Sequence, residues 1–292
     1  GEQFIATSAA QGRPFFLMFA PTATHGLWVA SPRRTGAFAG APVPHGPEFN
    51  EKDVTDKPRH VRQLPLQDRA VRDDERRREW AAALSVDDGI AALDAQLKAS
   101  GVYDDTVVIF MTDNGYALGE HRWLTKRCQY EECIRTPMLV RYPGASAKQV
   151  SKLISNIDIT PTILAMAGAT TTRTVDGKTF LPFVTSSTGP TWRTGTLIHW
   201  PGGNTTGQSG KPDSIPQFWG VRTARDKYVE LDTGEKEYYD LEADPHELVN
   251  VYDDPAYARV RDRLAAAERK STHGAAALTG DGELDGIPVS LG

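Results

Sequence analysis

The sequence predicts an α/β layered domain followed by a small antiparallel α+β unit. Three features carry that expectation. Residues 106–111 form a continuous, largely β-branched apolar run, the pattern of a strand buried on both faces of a parallel sheet. A long amphipathic stretch precedes it and a second helix signal follows, so helices and strands alternate. Beyond Gly168 the texture changes to four short strand-like runs and one helix.

In chain order, residues 15–20 are apolar and rich in aromatics between Pro14 and Pro21, and read as a buried strand. Residues 22–66 are full of Pro, Gly and Arg without a sustained period and read as a long irregular excursion. A helix is predicted over 67–100, where Ala83, Val86, Ile90, Leu93 and Leu97 make one apolar stripe and Gly101 supplies the stop. Strands follow at 106–111 and 138–140. A helix over 160–168 has Thr160 at its N-cap, Pro161 at the first helical position and Gly168 at its end. Further strands are expected at 196–200, 218–223, 227–231 and 237–241, with a tight turn at 232–235 making the last two a hairpin. A helix over 256–270 completes the series, and residues from 272 read as a loose tail. The expected division is 1–190 for the α/β part, 191–271 for the small sheet and helix, and 272–292 for the tail.

The chain has 292 residues, 39% hydrophobic and 24% charged, which excludes collagen, coiled coil and wholesale disorder. Lys and Arg number 33 against 38 Asp and Glu, so no nucleic-acid partner is expected. No apolar run approaches the ~18 residues of a membrane span, so no membrane partner is expected either. No signal peptide is visible at the first residues, and localisation stays open. Cys128 and Cys133 lie five apart; a zinc site would want two further ligands at motif spacing, so free thiols are expected. Asn204-Thr205-Thr206 is a formal glycosylation sequon of low specificity. The charge run from Arg72 to Arg78 and the pair Asp87-Asp88 read as solvated helix faces, and Ala30-Ser31-Pro32-Arg33-Arg34 carries no chemistry of its own.

Chemistry-bearing residues concentrate between Asp113 and Arg135. Asp113 and Asn114 follow the apolar strand almost directly, where sites form in open α/β sheets. A carboxylate beside an amide oxygen is a hard ligand pair suited to Ca²⁺ or Mg²⁺. Gly115 lets the backbone turn tightly, and Lys126 is near enough in sequence to bind an anion beside the metal. The same Asp-Asn-Gly triplet also makes ordinary turns, and the residues alone leave both readings open.

Residues 107–116, then Gly119-Glu120-His121-Arg122, Lys126, Tyr130-Glu131-Glu132 and residues 134–141, resemble the second-half signature of sulfatases. The resemblance is nearest to the N-acetylglucosamine-6-sulfatase-like and arylsulfatase-like branch. It extends to Pro14 through Ala20 with His25, Asp56-Lys57-Pro58, Asp158-Ile159-Thr160-Pro161-Thr162, and Tyr239-Asp240-Leu241 with Asp244-Pro245-His246-Glu247. It implies an incomplete alkaline-phosphatase-like mixed sheet flanked by helices, with a small C-terminal antiparallel α+β subdomain.

The resemblance also implies chemistry. Sulfatases hydrolyse sulfate esters with a formylglycine hydrate beside a divalent cation, usually Ca²⁺. Residue by residue, Asp113 and Asn114 fall on metal ligands, and Lys126 on the lysine bridging sulfate and nucleophile. His25 falls on the histidine near the leaving oxygen, and His121 is expected to line the substrate pocket or to make structural hydrogen bonds. The implied partner is a sulfated small molecule or glycan. Members also carry, upstream, an aspartate pair and a Cys/Ser-x-Pro-x-Arg motif whose first residue becomes formylglycine. No such motif occurs in these 292 residues. The expectation is therefore the C-terminal portion of a sulfatase, needing a missing N-terminal segment as its partner and inactive alone, with weak Ca²⁺ affinity and uncovered apolar sheet edges. The alternatives are a phosphodiesterase or phosphonate hydrolase relative, or a truncated non-catalytic remnant.

Overall fold

The structure, a computed structural model, describes residues 1–186, 188–204, 214–273, 282–284 and 287–290. The chain forms two compact units that interleave along the sequence. The first comprises Gly1–His45, Gln67–Ile109 and Val140–Gly144, and the second Gly46–Leu66, Phe110–Leu139 and Ala145–Gly292.

The first unit is organised by a long helix. After α1 (Glu2–Ala10) and the single turn α2 (Arg59–Arg62, in the second unit), α3 runs from Arg69 to Ala99. Asp68 caps it, its carboxylate accepting from the Val71 N–H at 3.1 Å. Its buried side chains are Ala81, Ala82 and Leu97; Val86, Ile90 and Leu93 are half-buried and Ala83 is exposed, so the predicted stripe holds over its C-terminal part. Ile5 of α1 is buried. The irregular excursion is tied to α3 by polar contacts. The Ser31 N–H donates to Ser85 Oγ at 2.9 Å, and Arg33 and Arg34 donate through Nε to Asp88 at 2.8 and 2.9 Å. Asp88 is thus an anchor rather than a solvated residue, and Asp87 beside it is exposed. The Arg72–Arg78 run faces its own acids, with Arg72–Glu75 and Arg76–Glu79 ion pairs at 2.7 and 2.6 Å.

Two strand expectations change. Residues 15–20 enter no ladder among the described residues, and Phe16 and Met18 are 67% and 77% exposed. The apolar run has no regular structure, and no described strand pairs with it. The second change concerns β1 (Val108–Met111), which among the described residues pairs only with β4 (Met138–Arg141). Phe110, Met111 and Leu139 are exposed, so this strand is not buried on both faces.

Between β1 and β4 the chain forms the two-residue strands β2 (Ala117–Leu118) and β3 (Leu124–Thr125) and the short helix α4 (Glu131–Ile134). Helix α5 (Ile159–Ala167) starts earlier than predicted. It continues a 3₁₀ turn at Asn156–Asp158 that Ser155 caps reciprocally with Asp158, so Thr160 lies inside it; Gly168 ends it at φ 61°. Asp158 governs this start because Arg193 draws its carboxylate inward. Both side chains are fully buried, with Arg193 Nη2 donating to Oδ1 at 2.7 Å and Nη1 to Oδ2. The Ser155 and Lys178 N–H groups take the remaining lone pairs.

After α6 (Leu181–Thr185) come β5 (Gly195–Trp200), β6 (Gly203–Asn204), β7 (Ser214–Ile215), β8 (Phe218–Thr223), β9 (Asp226–Leu231) and β10 (Lys236–Asp240). As predicted, β9 and β10 form a hairpin, closed by Leu231 N–H to Glu235 O at 2.9 Å with Gly234 at φ 84°. Helix α7 (Ala258–His273) covers the sheet, its Leu264 and Ala267 packing on Val221, Tyr228 and Tyr238. The expected loose tail adds β11 (Gly282–Leu284) and β12 (Ile287–Ser290), and β12 runs parallel to β5, giving the order β10-β9-β8-β5-β12-β11. Thr272 and His273 belong to α7, and the other tail residues, with Thr205 and Thr206 of the sequon, lie outside the described residues. No described helix is long and apolar enough to cross a membrane.

Removing Arg193 leaves the Asp158 carboxylate buried without its countercharge. Arg193→Ala is expected to cost about 3–5 kcal/mol in urea denaturation, and a loss under 1 kcal/mol would contradict this role for the pair.

Candidate active site

The site lies in the second unit and is built on the turn that ends β1. Thr112 Oγ1 donates to the Asn114 carbonyl at 3.1 Å, and the Asn114 N–H donates to Asp113 Oδ1 at 3.0 Å. Asn114 Nδ2 donates to Gly115 O at 2.9 Å, which leaves Oδ1 free of that bond. Asp113 is exposed, and Oδ2 has no hydrogen bond among the described residues. Gly115 is required for a different reason than the tight turn predicted. A Cβ there would overlap the Glu132 carbonyl, and the Gly115 N–H donates to Cys133 O at 3.0 Å. The turn is therefore pressed against the backbone of α4.

From this turn the chain runs out along β2 and back along β3, with Ala117 opposite Thr125 and Leu118 opposite Leu124. This short hairpin returns Lys126 beside Asn114, and both line one cavity of about 310 Å³. Among the described residues the Lys126 ammonium has no hydrogen-bond or ion-pair partner. Thr125 and Arg127 on either side of it hold φ 83° and 76°, a conformation that L residues avoid, β-branched ones above all. The opposite wall is apolar and aromatic, with Ile198 and Trp200 of β5 and Phe218 of β8. His199 stacks on Trp219 at 3.5 Å between centroids, and the Arg127 guanidinium sits 5.2 Å from the Trp200 ring centroid.

Cys128 and Cys133 also line the cavity, and they are joined as a disulfide, which overturns the expectation of free thiols. The turn of α4 brings their Cα atoms to 5.6 Å, within bridging range.

His121 is placed inside the protein rather than at the cavity, 1% exposed and stacked on Tyr130 at 4.0 Å. Its Nδ1 shares a 2.6 Å hydrogen bond with Glu51, and its Nε2 faces Glu132 at 3.7 Å. Together with Glu247 these side chains offer three potential ligand atoms within 4.8 Å of one another. The charge there is already countered. Lys227, fully buried, pairs with Glu247 and donates to the Gln129 carbonyl at 2.8 Å. Lys57, also fully buried, donates to the carbonyls of Glu247 and Leu248 at 2.8 and 2.9 Å and faces Glu51 at 3.4 Å. Burial dominates the titration of this cluster, lowering His121 to about 4 and raising Glu51 and Glu132 to about 7. Sequence reasoning quoted Lys57, Glu132 and Glu247 within motifs but gave no sign that they meet, because their contacts span up to 190 residues.

His25, on a turn closed by its N–H to Thr22 O at 2.8 Å, is exposed and belongs to the first unit. Asp113, Asn114, His121 and Lys126 all belong to the second.

Residues 1–169 match the sulfatase family, and residues 119–272 match the family described as N-sulphoglucosamine sulphohydrolase, C-terminal. The chain belongs to the sulfatase family. It is 33% identical over 273 residues to N-acetylglucosamine-6-sulfatase of Bos taurus, covering 83% of this chain and 49% of that protein. It is 30% identical over 321 residues to arylsulfatase of Volvox carteri, covering 90% and 48%. The chain thus spans about half the length of the curated relatives it matches. Among solved structures, BT4656 in complex with its substrate D-glucosamine-2-N,6-O-disulfate has a TM-score of 0.75 at 24% identity, covering 95% of this chain and 70% of that one. The phosphonate monoester hydrolase of Agrobacterium radiobacter has 0.60 at 27%, covering 75% and 45%. These likenesses bear out the alkaline-phosphatase-like mixed α/β fold that the motifs imply.

Two measurements probe this geometry. Gly115→Ala is expected to cost about 3 kcal/mol, because its new methyl group meets backbone rather than a flexible side chain; an unchanged thermal midpoint would refute the close approach. Glu132 holds its proton in the folded chain at pH values where the unfolded chain, near 4.5, has lost it. Its contribution to stability is full below 4.5 and is lost as pH rises through about 7. Relative to the parent, Glu132→Gln is therefore expected to gain on the order of 2 kcal/mol between pH 5 and pH 8, read from urea midpoints at both values. An equal difference at both pH values would count against it.

Proposed function

We propose that this chain carries the lysine-bearing part of a sulfatase active site, which hydrolyses sulfate esters of a sugar or an aryl alcohol. The observation that supports it is one cavity lined on one side by Asn114 and by Lys126, whose ammonium has no partner among the described residues, and on the other by apolar and aromatic side chains. An anionic group suits the first wall and the organic part of an ester suits the second.

The family implies a metal ion, and the donor set on the β1 turn fits a hard divalent cation, Ca²⁺ by the sequence resemblance. Asp113 offers an exposed carboxylate oxygen, and Asn114 holds its amide nitrogen against Gly115 O so that Oδ1 is available. These residues would supply two of the ligands. The cation when bound offsets charge on the sulfate oxygens, and the formylglycine hydrate of the family supplies the attacking oxygen. Lys126 binds a sulfate oxygen and offsets the charge that gathers there as the S–O bond breaks. The sequence resemblance assigns to His25 the proton that the departing alkoxide takes up. His121 acts through Glu51 and Glu132 to hold the hairpin and does not touch substrate. The preferred substrate class is a 6-sulfated glucosamine unit, following the names of the relatives at 33% identity. A phosphonate monoester is the second reading, supported by the 27% likeness to that hydrolase.

The test is binding of N-acetylglucosamine-6-sulfate by calorimetry. Lys126→Ala is expected to weaken it at least ~10-fold, the loss of one charge-assisted contact. Equal affinity in both proteins would remove Lys126 from the site. With no Cys/Ser-x-Pro-x-Arg in these residues, this chain is expected to release no sulfate from 4-nitrophenyl sulfate, and measurable release that survives Lys126→Ala would overturn the assignment.

A further inference from the structure

We infer that the Cys128–Cys133 disulfide is a positioning clamp, fixing Lys126 against the Asn114 turn so that both face one anion. The inference rests on the anion-pocket reading above. Its basis is that the one bond reaches both halves of the pocket. On one side, the main chain of Cys133 is already joined to the turn, since its carbonyl accepts from the Gly115 N–H at 3.0 Å. Gly115 has no Cβ there because the Glu132–Cys133 backbone fills that space. On the other side, Cys128 follows Lys126 by two residues. The S–S bond therefore links the Asn114 turn to the lysine segment across the floor of the cavity that both cysteines line.

Besides the Arg127 contact with the Trp200 ring and the burial of Cys128, few hydrogen bonds among the described residues hold residues 126–128. Before them, the hairpin consists of two residue pairs ending at Thr125. After them, Gln129 is held through its carbonyl by Lys227. Between these anchors the Lys126 carbonyl accepts one long hydrogen bond, from Trp123 Nε1 at 3.3 Å. Thr125 and Arg127 meanwhile keep left-handed backbone conformations, at φ 83° and 76°, that an untethered loop would leave. Such conformations persist where surrounding structure over-determines them, and the disulfide is the covalent constraint within reach.

The test compares three states of the chain: oxidised, reduced with dithiothreitol, and Cys128→Ala/Cys133→Ala. Reduction breaks the S–S bond, leaves a thiol on each cysteine and oxidises the dithiol reagent to its cyclic disulfide. Mass spectrometry of the alkylated protein confirms the state. Two readouts are taken, amide ¹⁵N relaxation at Lys126 and Arg127 and the affinity for inorganic sulfate. In the oxidised chain the order parameters are expected near the rigid value of ~0.85, falling below ~0.6 when the bond is absent. Sulfate affinity is expected to fall at least tenfold in the same two states. Leu264→Ala, on the buried face of α7 and away from the cavity lining, serves as a destabilised control and is expected to keep the parent's affinity. Unchanged order parameters and affinity after confirmed reduction overturn the clamp, and so does an equal loss of affinity in the Leu264 control. If the oxidised chain and Lys126→Ala bind sulfate alike, the anion-pocket reading fails instead, and the relaxation data alone decide whether the disulfide orders Lys126.

Discussion

Taking an ammonium group out of water costs several kcal/mol unless close countercharge and hydrogen bonds replace its hydration. The second unit buries two of them, Lys57 and Lys227, both without solvent exposure. Neither position is tolerable unless Glu51, Glu247 and the carbonyls of Gln129, Glu247 and Leu248 stand where they do. Each lysine thereby fixes chain segments far apart in sequence, and the rest of the unit is arranged around them. Glu237 extends the same arrangement, accepting from Gln129, Tyr130 and Tyr239 with its carboxylate fully buried.

Helix α4 transmits this arrangement to the cavity. Its four residues have two working sides. Side chains of Glu131 and Glu132 reach into the buried charges, Glu131 pairing with Arg222 at 2.8 Å and offering its N–H to Glu247 at 2.7 Å. Burial pushes the Glu131 carboxyl up, but Arg222 and Lys227 outweigh it and leave it below its ordinary value. On the other side, the carbonyls of Glu132 and Cys133 receive the Asn114–Gly115 turn. The position of a pocket residue is thus set by ion pairs it never touches. This places His121 among the supports of the site, with Tyr130 stacked on it and Glu51 on its other nitrogen.

Local signals carried much of the fold. The β9–β10 hairpin was legible because Asp-Thr-Gly-Glu is turn chemistry between two alternating runs, and α3 because its period is sustained. The start of α5 was misplaced because Asp158, two residues before the predicted N-cap, is fixed by Arg193, a partner 35 residues away in the chain. Residues 15–20 were misread because an apolar run records what the chain tends to bury, not whether a described neighbour covers it. Of the residues lining the cavity, Asn114 and Lys126 stand out in the sequence through motifs, whereas a hairpin of two residue pairs has no period to read. The disulfide was missed because two cysteines five apart say nothing about the direction in which a four-residue helix turns. The aromatic wall comes from strands more than 70 residues beyond Lys126, and no spacing rule connects them.

The separation between Lys57 and the carbonyl of Glu247, 190 residues, has a consequence for biosynthesis. A ribosome adding about 5–20 residues per second needs roughly 10–40 s to cover that interval. From residue 126 onward in that interval, Lys57 and the Asn114–Lys126 hairpin have both left the peptidyl-transferase centre while Glu247 has yet to be made. The long helix α3 can form from its own local contacts in that time, whereas the cavity gains its last lining residue only with Phe218 and the buried charges behind it only with Glu247. Nascent chains stalled before residue 247 would therefore carry a formed helix and an unassembled charge cluster, the order expected when long loop closures come last.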